Sequence, residues 1–505
     1  MPDGPDIEVP PHEALLEGPP ETTAPVSAAA DVRRRAVAGA LLLGVRGIGV
    51  RLLGLAGNVV LARLLVPSDF GTVALALSLL AFGTLMFDGG LGASLIRRTE
   101  DPSREDLRNV LALQLAGSVL LTASVATAGL LIGDAGTIAA VMMLALPFVA
   151  LRGPGLIMLE RKLSFGPVAA VEIGEVLAYY GWAVLTVALG AGVWGLASAS
   201  IVKALTGTTL LLRLAPGSLM APAVSLRRIR ALLSFGARVQ GVEVMRALRD
   251  QGVTIGTFVI AGATTLGLWA LAMRVLQIPL LLFESLWRVS FPAMSQLLAV
   301  GEDPRALMER SVAIIAAATG LIATVLICSA PALVPGLFGA AWTDATAAIA
   351  IACVGLQING PLSAVASGFL LASDEAGTVL RSAAAQAVVW VAVSLPLLPL
   401  LGVTALGVGY AAMAVVEAAI LARGARRKAG ARLVRPLAGP LVIVVATSAA
   451  GWSLISRMEP DLLAALAGAL LGAVSYVGAL ALLRRRLLLD VIGLGRRAVN
   501  RRRAA

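Results

Sequence analysis

The chain has 505 residues, of which 58% are hydrophobic and only 14% charged, and its mean hydropathy is +0.89. Soluble domains are roughly a quarter charged, so these values exclude an ordinary water-soluble enzyme and indicate an integral membrane protein. The net charge of +11 comes almost wholly from arginines in short loops between apolar runs, which reports topology and not nucleic-acid binding.

Histidine catalysis and histidine metal sites are excluded, because His12 is the only histidine and lies in the N-terminal tail. Cys328 and Cys353 both fall within apolar runs, so neither reads as a metal ligand or part of a disulfide framework. No cofactor and no metal are expected.

In chain order, residues 1–35 read as a disordered acidic tail ending in Arg33, Arg34 and Arg35, without the charged start and apolar centre of a signal peptide. The first span, about 36–62, carries Arg46, Arg51 and Asn58 inside an apolar run. A guanidinium at that depth costs about 2.5–3.5 kcal/mol on insertion scales. Gly47, Arg51, Gly54 and Asn58 share one helical face, which suits a wet cavity better than lipid. Snorkelling to the headgroups is the competing reading, and it fits Arg46 better than Arg51.

Further apolar segments lie at about 71–96, 106–132, 136–158, 167–190 and 192–213, then at 230–259, 263–288, 305–330, 343–371, 377–399 and 402–422. Two more, at about 436–456 and 461–483, bring the expectation to about fourteen transmembrane helices. The fold class is therefore an all-α membrane protein. Alternate loops hold the basic residues, among them Arg97 and Arg98, Arg161 and Lys162, Arg227 and Arg228, and Arg426 and Arg427. The intervening loops at 133–136, 190–192, 261–263 and 400–402 hold none, which places both termini in the cytoplasm. Residues 485–505 read as a basic tail, a solubilising one in preference to a helix lying on the membrane.

An offset of 196 residues brings Gly71 onto Gly267, Ala74-Leu75-Ala76 onto Ala270-Leu271-Ala272, and Phe87-Asp88 onto Phe283-Glu284. Two parallel repeats of about six helices are a transporter signature. The expected organisation is a first lobe over 36–215, a second over 216–425, two extra helices over 426–484 and the tail.

Gly190 to Gly195 spells a dinucleotide fingerprint, but it joins two spans and has no acidic residue downstream, so it reads as a tight turn. The second lobe opens on a polar helix in which Glu243, Arg246, Asp250, Thr254 and Thr257 share a stripe, with Arg246 and Asp250 spaced to pair. Arg249 sits beside them, and Arg274 lies near the middle of the next span, with Gln277 and Glu284 further on. Arg51, Arg246, Arg249 and Arg274 thus approach the midplane from corresponding helices, with Asn58 near the first. A cavity so lined favours an anion, and arginine forks suit phosphate oxygens. The same residues also allow inter-lobe ion pairs or gates, with Glu243, Asp250, Asp88 and Glu284 as the acids. Glu172 and Glu175, one turn apart, are candidates for proton or cation coupling, or for an interfacial salt bridge near Arg161 and Lys162.

The stretches ARLLVPSDFG (62–71), DGGLGASLIRR (88–98), LERKLSFGPVAAVE (159–172) and GAGVWGLASAS (190–200) resemble bacterial polysaccharide flippases. LLSFGARVQG (232–241), TTLGLWALAMRVLQIPL (264–280), FPAMSQL (291–297) and FGAAWTDA (338–345) continue the resemblance over about 36–425. The family is the lipopolysaccharide/exopolysaccharide branch of the multidrug/oligosaccharidyl-lipid/polysaccharide exporter superfamily. The resemblance implies two six-helix lobes about a central cavity, alternating access, and no enzymatic activity. It implies a polyprenyl-diphosphate-linked oligosaccharide as substrate, with membrane lipids and other polysaccharide-assembly membrane proteins as partners. It also implies cavity cations for the diphosphate, here Arg51, Arg246, Arg249 and Arg274. The alternatives within the superfamily are a peptidoglycan lipid-precursor flippase and a cation-coupled multidrug exporter.

Overall fold

The computed structural model describes residues 47, 49–88, 91, 92, 95 and 101–493. Arg46 and the acidic tail lie outside the described residues. Glu243, Arg246, Asp88 and Glu284 sit on described helical backbone, but their side chains lie outside the described set.

The chain is helical from end to end of that range. Helix α1 covers 49–64, α2 is Pro67–Asp88 and α3 is Arg104–Ile132. Where one apolar segment was read at 136–158, three short helices follow one another: α4 (Asp134–Met143), α5 (Ala145–Leu151) and α6 (Gly153–Arg161). Then come α7 (Phe165–Thr186), α8 (Val193–Leu214), α9 (Leu226–Ala299) and α10 (Arg305–Phe338). The last five are α11 (Ala345–Ala372), α12 (Ala376–Leu401), α13 (Thr404–Ala429), α14 (Val434–Ile455) and α15 (Leu462–Leu483). Among the described residues, twelve helical stretches are long and apolar enough to cross a membrane.

That number is compatible with fourteen spans, for two physical reasons. An unbroken helix of 74 residues would be about 110 Å long, several bilayers' worth. Helix α9 breaks instead at Gly262, whose φ of 77° and ψ of 178° no helix contains. Helix α1 adds a span of which only the second part is described. The turn at Gly190–Gly192, with φ of 93° and 52°, is the tight connection between α7 and α8 expected from its sequence.

Close helix packing replaces aromatic stacking through most of the molecule, as 53 glycines and a 4% aromatic content require. One aromatic cluster is Trp269, Trp390 and Tyr410, whose ring centroids lie 5.7–6.2 Å apart and join α9, α12 and α13. The two cysteines are free and buried. Gln357 is also buried; it accepts from Thr319 (3.0 Å) and donates to the Ala316 carbonyl (2.7 Å), tying α11 to α10.

The C-terminal pair, α14 and α15, packs on α10. Glycines 451 and 468 lie against Cys328 and Ser329, and the Tyr476 hydroxyl donates to the Ala317 carbonyl at 2.9 Å. The tail departs from expectation. Residues 485–493 form a helix that folds back, packing Leu487, Leu488 and Val491 on the core and pairing Asp490 with Arg310 at 2.9 Å. Its apolar face outweighs the solubility of its arginines.

The two halves of the chain meet where α1 gives way to α2. The Trp342 indole donates to the Ala62 carbonyl at 3.0 Å, and its ring meets Phe70 edge-on at 4.9 Å. Arg63 donates to the Leu337 carbonyl at 2.8 Å. Further along α2, the Ser78 hydroxyl bonds Gln251 of α9.

Candidate functional site: a cationic cavity in the first half of the bundle

A cavity of about 1000 Å³ opens among α1, α2, the α5–α6 junction, α7, α8 and the second arm of α9. Four cations line it: Arg51, Arg152, Lys203 and Arg274. One carboxylate, Glu175, faces them. Such an excess of positive charge favours an anion over a cation in this cavity.

The glycine face of α1 builds one wall. Asn58 is buried, and its amide donates to the Gly54 carbonyl (2.6 Å) and to the Tyr180 hydroxyl (2.8 Å). Gly54 and Gly57 admit the Tyr180 ring, which any Cβ at 57 would strike. Arg51, one and two turns earlier on the same face, lines the cavity.

Arg152 and Glu175 form an ion pair at the opposite wall, both largely buried. Gly207 of α8 makes room for them, since a Cβ there would overlap Glu175 and crowd the Arg152 guanidinium. The Thr208 hydroxyl donates to the Phe148 carbonyl at 2.7 Å, which holds α8 against α5 beside the pair. Glu172, one turn from Glu175, lies within electrostatic range of both Arg152 and Lys203. The interfacial salt bridge for Glu175 is thereby corrected. It stands midway along the 22-residue α7, a full half-span from Arg161, and its partner is Arg152. Arg161 pairs instead with Asp101 at 2.9 Å.

Arg274 comes from the other half of the molecule. Its guanidinium lies 5.6 Å from the centroid of the Phe70 ring, a cation–π contact, and no carboxylate among the described residues pairs with it. Gln277 lines the cavity one turn on.

Arg249 does not line this cavity. It is held in a second polar cluster, where it grips Asp250 through two nitrogens (2.6 and 3.1 Å) and donates to Gln386 at 2.6 Å. Gln386 in turn donates to Glu417, which also accepts from Asn359 at 2.7 Å. Asp250, read as spaced for Arg246, thus has its neighbour Arg249 as a described partner. A guanidinium committed to a carboxylate and a carboxamide has few donors left for a substrate.

Arg152 and Lys203 were missed in the sequence. Each stands alone in an apolar segment, away from the loop clusters that define topology, and a lone cation at that depth is itself a signal.

Residues 60–347 match the family model described as polysaccharide biosynthesis protein. The chain belongs to that family. The region matched contains Arg152, Glu175, Lys203 and Arg274 but only the last turn of α1, so Arg51 and Asn58 lie before it. Among characterised relatives, the succinoglycan biosynthesis transport protein ExoT of Rhizobium meliloti (strain 1021) is 26% identical over 254 residues. That alignment spans 47% of this chain and 49% of ExoT, about half the length of the relative. The lipopolysaccharide biosynthesis protein WzxC of Escherichia coli (strain K12) is 24% identical over 335 residues, 64% of this chain and 67% of WzxC. The fold matches the inward-closed lipid II flippase MurJ with a TM-score of 0.67 at 11% identity, covering 89% of this chain and all of that one. It also matches an inward-facing multidrug resistance MATE transporter of the MOP superfamily, with a TM-score of 0.56 at 16% identity over 79% and 96%. The fold is thus the all-helical one shared with MurJ and the MATE transporter.

Proposed function

We propose that this family member is a flippase that carries a polyprenyl-diphosphate-linked oligosaccharide from the inner to the outer leaflet by alternating access, for polysaccharide export. The observation that carries the reading is the convergence of Arg51, Arg152, Lys203 and Arg274 on one cavity facing a single acid. Family membership and the transport relatives support it. The diphosphate docks on these four cations, the sugars occupy the rest of the cavity, and the prenyl chain stays in lipid. Phosphate oxygens taking the Arg152 fork displace Glu175. That frees a carboxylate, with Glu172 one turn away, to take up a proton or cation during the cycle. Rocking of the two lobes, bounded at about residue 215 and followed by the helices of 426–484, then moves the headgroup across. Asp88, Glu243, Asp250 and Glu284 are the corresponding gating candidates. A cation-coupled drug exporter would want acids to dominate the cavity, whereas here cations do.

The test is headgroup translocation in proteoliposomes, using a fluorescent prenyl-diphosphate oligosaccharide and a membrane-impermeant quencher. Wild type is expected to translocate, and Arg51→Ala and Arg274→Ala to slow translocation at least tenfold while remaining folded. Undiminished transport in both variants would defeat the reading. Efflux of small organic cations without any headgroup movement would assign the chain to the drug-exporter class.

A further inference from the structure

A second concavity, of about 680 Å³, lies far from the transport cavity at the junction of α13 and α14. Arg423 and Arg426 reach it from the last turns of α13, and Arg432 and Arg435 from the short connection and first turn of α14. All four are exposed, and none takes part in an ion pair among the described residues. Three nearby acids already have partners other than these four guanidiniums. Glu309 accepts from Arg305 (3.5 Å) and from the Arg432 backbone N–H (2.8 Å). Glu375 pairs with Lys428 (3.7 Å) and Asp490 with Arg310 (2.9 Å). Four guanidiniums therefore converge on one hollow, and no carboxylate among the described residues forms an ion pair with any of them, which distinguishes it from an ordinary solvated basic loop.

The hollow continues into an apolar track. Val434, Ala438, Val442 and Val445 fall at helical spacing on one face of α14, and all four are exposed. The track begins at the arginines and runs along a helix that spans the membrane. A phosphate on a glycerolipid fits both parts at once, its oxygens taken by arginine forks and its acyl chains laid along the valines. A soluble phosphate would use the arginines and leave the track empty.

We propose that the α13–α14 junction is a binding site for an anionic glycerophospholipid, which seats the C-terminal pair of helices against the second lobe. The site is separate from the transport cavity and independent of the substrate assigned to it.

The test is native mass spectrometry of the full-length protein in detergent with equal dioleoyl phosphatidylglycerol and dioleoyl phosphatidylcholine. Phosphatidylglycerol adducts are expected to dominate on wild type. They are expected to weaken about fivefold per guanidinium removed in Arg423→Gln/Arg426→Gln and in Arg432→Gln/Arg435→Gln. Arg457→Gln, at the far end of α14, serves as the control and is expected to retain them. Either pair suffices if the other fails to fold. Equal adducts of the two lipids on wild type, or undiminished phosphatidylglycerol on a folded pair variant, would overturn the proposal. A parallel melting experiment separates the sources: inorganic phosphate that stabilises wild type as much as phosphatidylglycerol does would make this a site for soluble anions and overturn the lipid assignment.

Discussion

Gly71 and Gly267 pack backbone against backbone: a Cβ on either would stand 2.9 Å from the other's amide nitrogen. The same hypothetical atom on Gly71 would overlap the Ala263 carbonyl, and on Gly267 the Pro67 carbonyl. Both Gly71 with Gly267 and Pro67 with Ala263 are separated by 196 residues. The contact therefore maps onto itself under the internal repeat, as it must if the two lobes meet on a pseudo-two-fold axis. Short sequence matches alone left open whether alanine-rich helices merely looked alike, and this reciprocity favours a true repeat.

Alanine at either glycine must push α2 and α9 apart, since a backbone carbonyl cannot swing away as a side-chain tip does. Overpacking of this kind costs about 1–3 kcal/mol. Gly71→Ala and Gly267→Ala are expected to lower the melting temperature by similar amounts, and the double variant by less than their sum, because one wedge already opens the seam. Full additivity, or a loss confined to one of the two, would remove the symmetry argument.

The buried Arg152–Glu175 pair makes a different expectation. Removing one partner leaves an uncompensated buried charge and costs about 3–5 kcal/mol. Arg152→Met and Glu175→Leu alone are each expected to melt well below wild type. The double variant is expected to recover most of that loss, because an apolar replacement of both partners is close to neutral. Headgroup transport should stay low in the double variant, since the cavity has lost a phosphate ligand. Thermal melting and proteoliposome transport on the same preparations separate the two roles.

Much of this was legible from the sequence because hydropathy and charge act locally. Span lengths, loop arginines and the glycine–arginine–asparagine face of α1 need only a helical period to be read. Arg152 and Lys203 were not legible as site residues, because what brings them together is the packing of α5, α7 and α8 around Gly207, which no spacing encodes. The partners of Arg249 were not legible for the converse reason. Its sequence neighbours suggested a midplane cation, while Gln386 and Glu417, more than a hundred residues away, decide where its donors go. The sequence favours a solubilising tail over a helix at 485–493 because the arginines there mask the apolar face of Leu487, Leu488 and Val491.

Arg274 tests the use of a cation against an aromatic face. Held over the Phe70 ring, a guanidinium still offers a planar fork of donors to phosphate, which a lysine ammonium cannot reproduce. Arg274→Lys is expected to retain the fold and bind the diphosphate headgroup more weakly, with Arg274→Ala weaker still. Phe70→Leu should weaken binding in the same direction while also loosening the Trp342 contact, which melting will register. Headgroup affinity measured by fluorescence titration orders the three. Equal affinity in Arg274→Lys and wild type would mean that charge alone is used.

The cluster of Arg249, Asp250, Gln386, Glu417 and Asn359 should behave as structure, not as a substrate contact. Glu417 accepts from both carboxamides, so its removal strands two donors, each costing about 1–3 kcal/mol where buried. Glu417→Ala is therefore expected to destabilise more than Glu417→Gln, which keeps an oxygen for both donors. Arg249→Ala releases Asp250 and Gln386 together and should lower the melting temperature while leaving headgroup affinity within about twofold of wild type. Arg51→Ala should do the opposite, holding stability and losing affinity, because its side chain faces the cavity. The paired measurements, melting and headgroup titration on both variants, assign each arginine to scaffold or site. An affinity loss in Arg249→Ala equal to that in Arg51→Ala would return Arg249 to the substrate path.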